Sequence, residues 1–399
     1  MTGVEVHKAV DAAAALSDEG LIALRRDIHR HPELAGGEAR TAALVADRLR
    51  AAGLAVDTGV GGHGVVTVVD GLLDGAGSGP TLLYRADMDA VADDERYVSD
   101  FASQVPGAAH LCGHDLHTAI GVGVAETLAR LRDRLAGRVV VVFQPAEETL
   151  EGAQAMIDDG VLDRYPAREA YALHCAPLPV GVITAMPGAG HPGQDTCHFE
   201  LAGPGAADAG RRLLQQVAEL TTVTRPGSAE DFAALLSALQ TPDGPLARFV
   251  FADSRLNADA DPVTADVWLR AWPESRHPEL REQLRQLAAG AGATVTFPGP
   301  PFPAMVCSPA HTEAAAAYLR DDPSVDTVMT MHAAWPFSGE DFGLFLHRAP
   351  GAMFWLGVAD PGAGVNGIPH APDFAADERA IGIGVRAMAG LLLHRLHAA

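Results

Sequence analysis

The sequence predicts an α/β protein, a largely parallel sheet flanked by helices, with a small α+β satellite inserted into it. Two observations carry the prediction. Short β-branched runs such as VVVVF lack polar alternation, as strands covered on both faces require. Near residue 194 the pattern changes to strands that alternate apolar and polar residues, the mark of a sheet with one face covered.

The first 55 residues read as helix: LSDEGLIALRRDIHRHPEL and TAALVADRLRAAGL both place apolar residues at helical spacing, and Gly53 stops the second. Strands follow at GVVTVVDG (64–71), PTLLYRAD (80–87), GRVVVVFQPAEE (137–148) and EAYALHCAP (169–177), with a helix over 118–135. In the insert, DTCHFELAGPG and ADVWLRAW alternate as strands, and ADAGRRLLQQVAELTTVT and ESRHPELREQLRQLAAGAGA read as amphipathic helices. FPGPPFPAMV (297–306) reads as a return linker, followed by strand AMFWLGV (352–358) and a helix over 377–396. The expected division is a discontinuous domain of 1–193 and 304–399, and a satellite of 194–303.

Charge excludes some functions. With 29 Lys plus Arg against 51 Asp plus Glu, the net charge of −22 opposes binding to nucleic acid or an anionic membrane. Lys8 is the only lysine, which leaves Schiff-base and P-loop chemistry effectively unavailable. No apolar run is long enough to span a bilayer, and Glu5 and Asp11 interrupt what would be a signal peptide, so a cytoplasmic location is expected. Four cysteines in 399 residues are too few for a disulfide framework.

Metal-ligating residue types collect just beyond the predicted strands, where open α/β sheets place their sites. PTLLY runs into Asp87 and Asp89, VVVVF into Glu147 and Glu148, YAL into His174, and AMFWLGV leads to His370. The densest group is His110-Leu111-Cys112-Gly113-His114-Asp115-Leu116-His117. In an extended turn Cys112 and His114 can point to one side, with Gly113 bending the backbone between them. Thiolate, imidazole and carboxylate together suit zinc, manganese, cobalt or nickel better than magnesium or calcium. Neighbouring Glu147 and Glu148 point in different directions, so one can ligate while the other faces the substrate as a base.

Other residues have plainer explanations. His29 and His31 lie on a predicted helix away from strand ends and read as ordinary core or surface histidines. Cys197 and Cys307 read as small buried hydrophobes, and Cys175 as packing beside His174 instead of binding metal. Gly59-x-Gly61-x-x-Gly64 matches a dinucleotide fingerprint by letter, but it precedes a strand instead of following one.

With these motifs in view, the chain resembles the metallopeptidase family of N-acyl-amino-acid amidohydrolases, which includes hippurate hydrolase and indole-acetyl-amino-acid hydrolases. The resemblance spans most of the chain through LRRDIHRHPEL (24–34), YRADMDAV (84–91), HLCGHDLHTA (110–119), FQPAEE (143–148), LHCAP (173–177), SGEDFGLF (338–345) and PHAPDFAADERA (369–380). It implies a zinc-peptidase-like catalytic domain and a ferredoxin-like lid and dimerisation domain. It further implies two divalent ions per subunit held by Cys112, His114, Glu148, His174 and His370, with Glu147 as general base and acid. Asp87, Asp89 and His117 would orient the ligands, and Asn257 and Arg270 would face the substrate carboxylate.

One departure stands out. The family usually carries Gly-Gly-His-Gly after the first satellite strand, and its histidine polarises the substrate carbonyl. Here Gly203-Pro204-Gly205-Ala206-Ala207-Asp208 takes its place, and His191 and His198 lie upstream. Losing such a donor costs about 2.7–4 kcal/mol of transition-state stabilisation where nothing replaces it. The expected activity is hydrolysis of an N-acyl amino acid or related small amide. The alternatives are a dipeptidase or carboxypeptidase on the same metal site, and a metal-binding partner protein that no longer hydrolyses.

Overall fold

The computed structural model describes residues 3–73 and 75–398. Three helices open the chain, α1 (Gly3–Ala14), α2 (Asp18–Arg30) and α3 (Ala39–Ala51). Strands β1 (Val56–Val60) and β2 (Gly64–Asp70) form an antiparallel hairpin, and Gly59 and Gly61 have positive φ there. The glycine-rich stretch therefore builds a turn between strands. There follow β3 (Thr81–Asp87), α4 (His114–Arg130), β4 (Arg138–Gln144), α5 (Gly152–Asp158), α6 (Val161–Arg164), β5 (Glu169–Pro179) and β6 (Val182–Ala185).

The middle of the chain supplies β7 (Gly190–His191), β8 (Gly193–Leu201), α7 (Ala206–Ala218), α8 (Ala229–Leu239), β9 (Phe249–Asn257), β10 (Val263–Trp272), α9 (His277–Ala291), β11 (Thr294–Thr296) and β12 (Met305–Val306). The remainder adds α10 (Pro309–Arg320), β13 (Thr327–Thr330), α11 (Gly343–Leu346), β14 (Gly351–Ala359) and α12 (Arg379–His397).

The chain forms two compact units. The first comprises the chain up to Pro187, Cys307–Thr330, and everything from Leu344 on. Its eight-stranded sheet runs β1-β2-β4-β3-β5-β14-β6-β13. The central β4-β3-β5-β14 are mutually parallel, and antiparallel pairings occur only toward the two edges, β1 with β2, β2 with β4, and β14 with β6. Val139–Phe143 and Gly351–Ala359 are wholly buried, as unbroken apolar strands between helical layers must be. Among the helices α4 is buried along its length from His114 to Leu128. It packs closely on α12: a Cβ at Gly123 would lie 2.4 Å from Val385 Cγ2.

The second unit is Gly188–Val306 together with Met331–Gly343. The later segment joins it because the Trp335 N–H donates to Gly190 O at 2.9 Å and the Phe337 ring stands edge-on to Phe251 at 5.3 Å. Its sheet runs β11-β8-β10-β9, all antiparallel. Cys197, Phe199, Leu201, Ala265, Val267 and Leu269 bury one face against Leu213 and Val217 of α7 and Leu280 and Leu284 of α9. The alternate residues, including Gln194, His198, Trp268 and Arg270, lie on the opposite and more open face. No helix among the described residues is long and apolar enough to cross a membrane.

Candidate metal centre

The parallel strands of the first unit end together, and the candidate residues sit on their carboxyl ends. Asp87 is the last residue of β3, and Asp89 follows it. Cys112 precedes Gly113, which caps α4 at φ +84, and His114 is the first helical residue. The backbone between Cys112 and His114 is thus a left-handed glycine entering a helix, where the sequence suggested an extended turn. His117 lies one turn on, on the same side of α4. Glu147 and Glu148 follow β4, and His174 lies in β5 two residues beyond Ala172, which pairs with β3. His370 comes from the loop after β14, and its N–H donates to Leu111 O at 2.8 Å, fastening that loop beside Cys112.

These segments bring their donor atoms together. Cys112 Sγ is 3.5 Å from His174 Nε2, and His370 Nε2 is 3.5 Å from Glu148 Oε2. His114 Nε2 lies 3.8 Å from Glu147 Oε2 and 3.8 Å from Glu148 Oε1. The sets Cys112–His114–His174, Cys112–Glu148–His370 and His114–Glu147–Glu148 each gather ligand atoms within 4.8 Å of one another. All five residues expected as ligands, and Glu147, therefore share one cluster.

The surrounding hydrogen bonds aim these atoms. His114 Nδ1 bonds Asp89 O at 2.9 Å, and the Glu148 N–H donates to Asp89 Oδ2 at 2.9 Å. His174 Nδ1 bonds Cys175 O at 2.7 Å, leaving Nε2 toward Cys112. His117 Nδ1 bonds Asp87 Oδ1 at 2.6 Å, and its Nε2 accepts the Cys175 N–H at 2.8 Å. His117 thus ties the end of β3 to β5 beside His174 and has both nitrogens committed.

Electrostatics explain what such a cluster needs. Burial opposes a proton on His114, but Asp87 and Asp89 outweigh it and push His114 up to about 10. Burial, then Glu148, raises the Cys112 thiol well above its usual range. Burial, then His117, keeps His174 neutral. Asp87 is held ionised despite burial by Arg85, His114 and His117. His114 Nε2 and Glu148 Oε1 are buried with no hydrogen-bond partner. Unpaired donor atoms amid several carboxylates, with a thiol and imidazoles, fit divalent metal ions, whose charge would reverse the penalty on the thiolate.

Sequence reasoning missed several supports. Glu38, just before α3, is fully buried, and its Oε1 accepts the N–H of Ala146 at 2.9 Å and of Gly36 at 2.8 Å. It fixes Ala146, a non-glycine residue at φ +52, next to Glu147. Arg85 is buried on β3, bonding Gln144 at 2.9 Å and pairing with Asp87. His29 is buried, its Nδ1 2.8 Å from Asp115 and its Nε2 3.1 Å from Glu95.

In the second unit, Asn257 and Arg270 share a face but do not meet. Arg270 pairs in register with Phe251, and Thr264, six residues earlier on β10, pairs with Asn257. That spacing separates them by roughly 20 Å within one chain. Gly203 and Gly205, at φ +88 and +80, form the turn into α7 where the family's histidine would stand. His198 bonds Asp266 at 2.7 Å, and His191 is buried 3.3 Å from Ser338 O.

A parallel sheet whose carboxyl edge gathers a thiol, imidazoles and carboxylates defines a metal-dependent hydrolase. Residues 83–394 match the model of peptidase family M20/M25/M40, and the chain belongs to that family. It is similar to the Synechocystis protein named Probable hydrolase sll0100, 34% identical over 92% of this chain and 93% of that one. It is also similar to the N-acetylcysteine deacetylase of Bacillus subtilis, 31% identical over 90% of this chain and 93% of that one. The solved YXEP protein of Bacillus subtilis, described as a dinuclear metal-binding peptidase of the M20 family, superposes with a TM-score of 0.72. It is 26% identical and covers 96% of this chain and 100% of its own.

Proposed function

We propose that the protein hydrolyses the amide bond of an N-acyl amino acid or related small amide, using two divalent ions held by Cys112, His114, Glu148, His174 and His370. The observation that carries this is Glu147, buried at 6% exposure, with Oε2 3.8 Å from His114 Nε2 among those donor atoms. When bound, the ions supply Lewis-acid activation of a water and of the scissile carbonyl. Glu147 takes the proton from the attacking water and delivers it to the departing amine nitrogen. Asp87, Asp89 and His117 hold the imidazoles and the Glu148 backbone in place. Arg270 binds the substrate carboxylate, since the chain's single lysine leaves arginine or backbone for that role.

Relatives named as deacetylases support acyl removal, and relatives named as thermostable carboxypeptidases, 28% identical, keep peptide cleavage as the second reading. The test pairs metal analysis with Glu147→Gln. Two ions per chain and a variant with at least a hundredfold lower kcat at unchanged metal content are expected. Fewer than one ion, or full activity in the variant, overturns the mechanism. Parallel assays on N-acyl amino acids and dipeptides decide the bond cleaved. Absence of turnover on both with metal fully loaded favours a protein that no longer hydrolyses, the outcome the missing Gly-Gly-His-Gly motif would explain.

A further inference from the structure

The second unit holds two arginines, Arg225 and Arg270, that lie over one aromatic ring with no ion pair to either among the described residues. Other arginines of this unit are paired, as Arg281 is with Asp195 at 2.7 Å, or stand alone, as Arg212, Arg255 and Arg276 do, but only this pair is brought together over one ring among the described residues of the unit's β9–β10 face. Arg225, in the segment between α7 and α8, and Arg270, on β10, make no ion pair among the described residues. Both guanidinium carbons lie over the Phe251 ring, at 4.9 and 6.0 Å from its centroid, and Arg225 is also 5.4 Å from the Phe337 ring. Arg270 Nε is buried with no hydrogen-bond partner. Burial first, and the Arg225 charge second, bring Arg270 down to about 10, with Asp253 opposing.

Two like charges share one aromatic wall in a chain of net charge −22, and Asp253, the carboxylate that acts on Arg270, forms no ion pair with either. A guanidinium stacked on a ring keeps its N–H edge free for an anion. A single carboxylate can engage one guanidinium, whereas a dicarboxylate can engage both. The two arginines are also unequal, because Arg270 is half-buried and Arg225 exposed, so they can hold an inner and an outer carboxylate.

We infer that Arg225 and Arg270 form a two-guanidinium site for a dicarboxylate, with Arg225 the residue that selects for the second negative charge. This rests on the amidohydrolase reading for the identity of the ligand, which is then the N-acyl derivative of a dicarboxylic amino acid. Arg225 acts by binding, and it touches no atom that reacts.

The test uses the metal-loaded protein and two matched pairs. Calorimetry compares glutarate with butyrate, and kinetics compare N-acetylglutamate with N-acetylglutamine, which differ in charge at similar size. The wild type is expected to favour the dianion by about tenfold or more in each pair. Arg225→Gln should bring both ratios near one while leaving butyrate and N-acetylglutamine little changed, and Arg225→Lys should keep part of the preference. Arg270→Gln should weaken all four. Equal binding of glutarate and butyrate by the wild type, or a preference that survives Arg225→Gln, overturns the proposal. If neither amide is hydrolysed but glutarate binding depends on Arg225, the hydrolytic reading falls and the site stands. If both amides are cleaved equally and Arg225→Gln changes nothing, the reverse holds.

Discussion

His29 Nδ1 on α2 lies 2.8 Å from Asp115 Oδ2 on α4, an oxygen that also takes the Arg25 Nε–H at 2.6 Å. Asp115 directly follows His114, so α2 grips the first turn of the helix that carries a candidate ligand. All three side chains are buried, which makes the cluster sensitive to loss of any member. Asp115→Asn leaves two cations facing a neutral amide and should destabilise the protein by about 3–5 kcal/mol in urea unfolding, with metal affinity falling alongside. A variant as stable as the wild type would show that α2 does not hold α4 through this residue.

The same pair sets a pH dependence. Burial disfavours charge on His29, but Asp115 and Glu95 outweigh it and raise its pKa above 6.5, while Arg25 and His29 hold Asp115 far below the usual carboxylate range despite burial. His29 therefore contributes stability that is complete below about pH 6.5 and is lost as pH rises through its raised folded-state value. Asp115 contributes stability present above about pH 3.9 and lost as pH falls. Unfolding of wild type and His29→Gln in chelator from pH 5 to 9 should give a stability difference that is largest at the acidic end and shrinks with rising pH. A difference constant across that range would exclude a charged His29.

Gly113 is required twice over. Its φ of +84 is a left-handed conformation, and a Cβ there would sit 2.3 Å from Cys175 Sγ. The backbone alone costs about 1–2 kcal/mol for an L residue. The buried sulfur, which donates to Cys112 O at 3.0 Å, has little room to retreat. Gly113→Ala should lower the melting temperature and displace Cys112 and His114 together, so that metal stoichiometry falls even where the protein stays folded. Full metal content in a folded variant would contradict this.

The catalytic half of the fold was legible because its strands are buried on both faces, and β2, β3, β4, β5 and β14 each coincide with an apolar run read from the sequence. The start of α4 was read four residues late, at Thr118, because the helix is buried on every side and shows no polar face to mark its beginning. β9 and α8 were missed, since Phe249–Asn257 opens on a short apolar run (249–252) and then carries the polar Asp253, Ser254, Arg255 and Asn257, and Ala229–Leu239 is a short, largely apolar helix. The candidate metal-centre residues were legible because Asp87, Glu147 and Glu148 lie at or just past strand ends, and Cys112, His114 and His117 crowd into one short motif. His29, Glu38 and Arg225 were not, for a different reason: their roles depend on partners 86, 108 and 26 residues away, Asp115, Ala146 and Phe251, and no local pattern records that.

Glu38 offers a test of how the Glu147 loop is held. Its Oε1 accepts two backbone N–H groups, from Gly36 and from Ala146 at φ +52. Removing the acceptor frees a strained peptide beside the proposed base. Glu38→Ala should reduce kcat about tenfold to a hundredfold with little change in KM, and Glu38→Gln, which keeps one acceptor oxygen, should restore much of it. Equal losses in both variants would assign Glu38 a role through its charge instead.

His117 should behave differently from the histidine three residues before it. Its Nδ1 is taken by Asp87 at 2.6 Å and its Nε2 by the Cys175 N–H at 2.8 Å, whereas His114 Nε2 is buried and unpaired. His117 has no lone pair left to give, so its contribution is to hold Asp87 and the backbone beside His174. His114→Ala is expected to lose an ion outright, visible as a lower metal content after dialysis. His117→Ala is expected to keep the wild-type number of ions but to bind them about tenfold to a hundredfold more weakly in competition with a chelator. Loss of a whole ion from His117→Ala would instead make His117 a ligand, and would mean that its bond to the Cys175 backbone gives way when metal binds.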